Sequence, residues 1–135
     1  MRFQTVARQG DKLGLCDIDV PLLPLADSPE PLTAARWKKV LDLIRHLRSG
    51  GPDAEVWAHV FGNTLYLHPA HARERGVSIK LWIDWRDHGP MRDGLPVLHY
   101  RLQIQRPGSR LSEDARTEDP EEVRQILCRA FGWAP

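Results

Sequence analysis

Residues 78–105, SIKLWIDWRDHGPMRDGLPVLHYRLQIQ, place two acids and a histidine, Asp84, Asp87 and His88, within one short stretch. A carboxylate pair beside an imidazole is the raw material for general acid–base catalysis or for a metal ion. The flanking residues argue against convergence. Alternation of apolar and polar residues runs up to Asp84 and resumes at Leu98, so Asp84 stands at a strand end while Asp87 and His88 belong to the connection. Their spacing matches no metal-binding loop, and Gly89-Pro90 and Asp93-Gly94 mark the segment as turn chemistry.

A second constellation involves His59 and His68. Between them Gly62-Asn63 separates two β-rich runs and reads as a two-residue hairpin turn. That turn implies a register in which Phe61 opposes Thr64, Val60 opposes Leu65, His59 opposes Tyr66, Ala58 opposes Leu67 and Trp57 opposes His68. His59 and His68 become diagonal neighbours within reach of one ion, with Asp84 or His99 as a third ligand. Histidines on strands more often pack or hydrogen-bond across the sheet, so the metal reading ranks low and no metal ligand is assigned. Metal-free RNA cleavage, with a histidine as base and Lys80 or Arg101 stabilising the phosphorane, ranks equally low, because any mixed sheet face offers as much. No GxSxG elbow, P-loop or GxGxxG follows a strand, and Cys16 and Cys128 stand far apart without a CxxC pair. Two free thiols, no cofactor and a non-enzymatic chain are the expectation.

The elements that position these residues follow from periodicity. Residues 2–8 and 12–20 read as a hairpin turning at Gly10, and residues 21–31, with Pro21, Pro24, Pro29 and Pro31, read as an extended connection. In PLTAARWKKVLDLIRHLRSGG, Trp37, Val40, Leu41, Ile44 and Leu47 recur at helical spacing, with Thr33 or Ser28 as cap and Gly50-Gly51 as stop. Its outer face carries Arg36, Lys38, Lys39, Asp42, Arg45, His46 and Arg48, read as a solvated face rather than a phosphate site. In DPEEVRQILCRAFGW, Asp119 caps, Pro120 takes the first position, Glu122 supplies the capping-box acid and Gly132 ends the helix. The expected architecture is one α+β domain over residues 1–135: a largely antiparallel sheet, built as a four-stranded meander plus the N-terminal hairpin, with two amphipathic helices packed on one face.

Each strand has one aliphatic face and one mixed face. If the helices cover Val56, Leu65, Ile79, Leu102 and their row-mates, the opposite side displays Trp57, His59, Tyr66, His68, Lys80, Trp82, Asp84, His99 and Arg101. Large aromatics interspersed with both charge signs suit protein recognition. The leading expectation is therefore a small protein-binding module, of the inhibitor or toxin-immunity kind, whose partner is another protein such as a toxin or enzyme. A second copy of the chain is the competing occupant of the same face. A single-stranded RNA platform ranks next, with Trp57, Tyr66 and Trp82 stacking bases beside Lys80 and Arg101. Against it stand a net charge of +1, from 19 basic and 18 acidic residues, and the lack of an RNP-like signature. No apolar run suits a membrane span, and the polar start MRFQTVARQG lacks a signal-peptide core, so a cytoplasmic chain is expected. The preference for Arg over Lys suggests a GC-rich, bacterial genome.

Overall fold

The computed structural model describes residues 1–70, 76–86 and 88–134; Asp87, one of the acids weighed above, lies outside the described residues. Strands β1 (Arg2–Gln9) and β2 (Lys12–Asp17) form the N-terminal hairpin, and helices α1 (Asp19–Ala26) and α2 (Pro31–Ser49) follow. Then come β3 (Glu55–Phe61), β4 (Thr64–Pro69), β5 (Ser78–Asp84), a small ribbon of β6 (Met91–Arg92) and β7 (Leu95–Pro96), β8 (His99–Gln105), β9 (Glu113–Thr117) and α3 (Pro120–Phe131). Seven strands make one sheet in the order β2-β1-β3-β4-β5-β8-β9. Every neighbouring pair is antiparallel except β1 and β3. The class is the α+β, largely antiparallel one that the alternation predicts.

The hairpin of β3 and β4 has the predicted register, with His59 opposite Tyr66 and Trp57 opposite His68. Gly62 takes φ 61 while Asn63 stays at negative φ, the pattern of a turn whose first central residue alone must be left-handed. With the register set, Val56, Ala58, Leu65, Leu67, Ile79, Leu81 and Leu102 share one face and are each at most 1% exposed. They form one core with Trp37, Val40, Ile44 and Leu47 of α2 and Val123, Leu127 and Phe131 of α3. Burying a side chain of this size contributes about 1.5–3 kcal/mol, so this layer dominates the stability.

Residues 21–31 correct the sequence reading, since part of this proline-rich stretch is helical. Pro21 lies in the first turn of α1, where its missing N–H had no intrahelical acceptor to lose, and only Pro24 forfeits a bond. Ile18, Leu22 and Ala26, four residues apart, are buried in the core on one side, and that burial outweighs the lost hydrogen bond. The start of α2 is also a correction. Glu30, rather than Thr33 or Ser28, caps it, accepting from Leu32 N at 3.1 Å and Thr33 N at 2.6 Å, with Pro31 at the first position. The Thr33 hydroxyl, which also donates to Glu30, and then these backbone bonds hold the Glu30 carboxyl below its usual pKa.

The meander gains a fifth strand, β9, in a segment whose sequence reads as turn-rich. Glu113, Asp114 and Arg116 have little strand preference of their own, so pairing with β8 and the anchoring of Thr117 carry it. Thr117 is 8% exposed. Its hydroxyl donates to Glu122 at 2.6 Å and accepts from Asp119 N at 3.0 Å. Glu122 is thereby drawn to Thr117 instead of closing the capping box on Asp119, which itself accepts from Glu121 N at 3.0 Å.

Substitution at two positions of the sheet separates its faces. Leu81→Ala should lower unfolding free energy by about 2–5 kcal/mol, measured by urea denaturation. Phe61→Ala, at a side chain 76% exposed, should change it by less than about 0.5 kcal/mol.

Candidate functional site

Side chains on the sheet face away from the helices line up in rows across the strands. One row runs Phe61, Thr64, Trp82, Arg101 and Arg116. The next runs His59, Tyr66, Lys80, Gln103 and Asp114. A third joins Asp17, Gln4, Trp57 and His68, and Asp84 pairs with His99 at the opposite end. All nine residues assigned to this face by alternation therefore share it. His59, His68 and Lys80 are exposed, while Trp57, Tyr66, Trp82, Asp84, His99 and Arg101 are half-buried against their row-mates.

Within the rows, cations lie over rings. The Arg101 guanidinium sits 5.6 Å from the Trp82 ring centre and the Lys80 ammonium 5.7 Å from that of Tyr66. Asp84 is saturated by its neighbours: it accepts from Arg101 at 3.2 Å and from its own neighbour Trp85 N at 2.9 Å, and it lies 4.0 Å from Arg116. Arg116 also donates to Nε2 of His99. At this end of the face two arginines share one carboxylate, whereas Lys80 projects without an ion pair among the described residues.

His59 and His68 do meet, with ring centres 6.3 Å apart. Neither Asp84 nor His99 joins them: these lie in the row at the other end of the strands, two rows beyond Lys80 on β5. Among the described residues no group of three or more His, Cys, Asp or Glu side chains could hold a metal ion. The acid–base set is similarly dispersed, with Lys80 two strands away from His59 and His99 engaged by Arg116. The basic face of α2 is largely engaged within the fold. Arg48 pairs with Asp17 and, at 2.8 Å, with Asp19; His46 contacts Glu121 at 2.8 Å; Arg36 lies over Trp85 and Lys39 over Tyr100. Burial pushes the Tyr100 hydroxyl up to about 12.

Sequence reasoning missed two parts of this surface. Val6, Leu13 and Leu15 of the N-terminal hairpin stand on the same side, at 47%, 70% and 62% exposure, and extend it as an aliphatic margin. Their alternation with Thr5, Gly14 and Cys16 was the available signal. Arg116 and Asp114 close the opposite margin on β9, and there the only cue was a short alternation inside an otherwise polar segment.

Compared with protein-family models, with curated proteins and with solved structures, the chain matches none.

Among the described residues, the imidazole rings whose surroundings disfavour protonation are His68 and His99. Burial lowers both pKa values first, with His59 adding to the effect on His68 and Arg116 to that on His99. Each ring binds fewer protons in the folded chain than in the unfolded chain as pH falls through 6.5, so stability should decline through that window. Imidazole resonances followed by NMR should titrate below 6.5 for both, and in Arg116→Gln the His99 midpoint should rise.

Proposed function

We propose that this chain is a non-enzymatic protein-binding module whose partner docks on the open face of the sheet. The observation that carries the proposal is the combination on that one face of Trp57, Tyr66, Trp82 and an exposed Phe61 with the aliphatic margin of Val6, Leu13 and Leu15. Aromatics of this size at the centre of a patch, with polar groups around them, supply the hot spots of protein interfaces. The partner surface that fits is apolar at its centre and bears charges of both signs at its rim. An inhibitor or toxin-immunity role is this same reading with an enzyme as the partner.

A single-stranded nucleic acid would use the same aromatics, with Lys80 beside Tyr66 as its phosphate contact. Two observations favour protein. Asp84 lies against both Arg101 and Arg116, which offsets part of the positive charge a phosphate backbone would meet there. Base stacking also leaves the aliphatic margin without a role.

The test is affinity capture from the native cells followed by direct binding of the captured partner to purified chain. Trp57→Ala combined with Trp82→Ala, first shown to be folded by circular dichroism, should weaken the complex at least about a hundredfold, as two hot-spot residues do. Equal affinity of the native and doubly substituted chains would count against the sheet-face site. Labelled single-stranded RNA at low salt should show no saturable binding; salt-dependent RNA binding lost in the same variant would transfer the face to the nucleic-acid reading.

A further inference from the structure

Where β8 begins and β9 ends, the connection between β5 and β8 folds against them and leaves a cavity of about 280 Å³. Its polar lining is Arg86, His99, Arg116, Thr117 and Glu118, and its apolar lining is Pro90 and Val97. It opens beside the Asp84–His99 pair, at the end of the sheet rather than over the aromatic rows.

We propose that this cavity is a binding site for a small monocarboxylate with a short apolar body. Arg86 and Arg116 both line it, one from the connection and one from β9, and a guanidinium fork matches the planar geometry of a carboxylate. Arg86 forms no ion pair with another described residue. Arg116 is held in place by Asp84 at 4.0 Å and by the His99 ring. Because Nε2 of His99 accepts from Arg116, the ring is neutral in this arrangement and carries its hydrogen on Nδ1.

The charge balance decides between anions. Glu118 lines the cavity, and Asp84 stands behind Arg116 and is shared with Arg101, so two carboxylates face three arginines and the local surplus is one positive charge, which a monoanion neutralises and a phosphate dianion overshoots. A single negative charge placed between the guanidinium groups is the better match. Pro90 and Val97 face the remainder of the ligand, and the volume, at the small end of ligand sites, suits a body of a few carbons. The walls are preorganised. Val97 N donates to Pro90 O at 3.0 Å, Gly89 N donates to Arg86 O at 3.1 Å, and Thr117 is tied to α3 through Glu122 and Asp119.

The inference is independent of the docking of a protein partner, because it is tested on the isolated chain. Butyrate is titrated into the purified protein at constant ionic strength, with the imidazole signals of His99 and the guanidinium signals of Arg86 and Arg116 followed by NMR. Saturable shifts with a dissociation constant of about 10 mM or tighter are expected, together with at least tenfold weaker binding by Arg86→Gln combined with Arg116→Gln. Both side chains lie at the surface, and an otherwise unchanged amide spectrum verifies the fold. Absence of saturable shifts, or equal affinity in the double variant, overturns the site. Inorganic phosphate binding more tightly than butyrate overturns its assignment to a monocarboxylate.

Discussion

The β3–β4 register is the constraint from which the rest of the structure follows. Side chains alternate strictly across a strand, so a slip of one residue at Gly62-Asn63 would send Trp57, His59 and Phe61 into the core and bring Val56, Ala58 and Val60 to water. The observed register puts Leu65 against Leu81 and Leu81 against Leu102, which aligns the aliphatic rows of β4, β5 and β8 beneath α2 and α3. The same alignment assembles the aromatic rows on the other side. Core and candidate binding surface are thus two consequences of one pairing.

Around this centre the two margins of the sheet are stabilised differently. At the hairpin margin, Phe3, 0% exposed, anchors β1 in the core, and Arg48 of α2 reaches Asp17 and Asp19 to tie the end of β2 to the helical layer. At the β9 margin the anchor is polar, with Thr117 bridging to Glu122. Between the layers, His46, Glu121 and Arg124 join the end of α2 to the start of α3. Glycines at positions 50 and 51 leave room for this contact, since a Cβ at either would lie 3.1–3.2 Å from the Arg124 side chain. The charged residues of α2 therefore serve mainly to hold layers together.

Much of this was legible in the sequence, for physical reasons. The strands with clean two-residue alternation, the Gly62-Asn63 turn and the apolar stripes of α2 and α3 each carry a local signal that tertiary packing reinforces. The nine face residues from Trp57 to Arg101 could be named because period alone assigns a face. What stayed hidden depends on contacts distant in sequence. Helix α1 forms despite Pro21 and Pro24 because Ile18, Leu22 and Ala26 find the core, and β9 forms because β8 offers an edge and α3 anchors Thr117. The cavity at Arg86, His99 and Arg116 joins the β5–β8 connection to β8 and β9, a juxtaposition that no spacing encodes.

The central claim is that one face of this sheet is open to a partner while the other is sealed by helices. Hydroxyl-radical footprinting of the free chain in dilute solution tests it most directly, because it reads side-chain accessibility residue by residue. The account predicts oxidation at Trp57, Phe61, Tyr66 and Trp82 and protection at Phe3, Trp37, Tyr100 and Phe131, which are at most 3% exposed. Protection of Trp57, Tyr66 and Trp82 equal to that of Trp37 would contradict it.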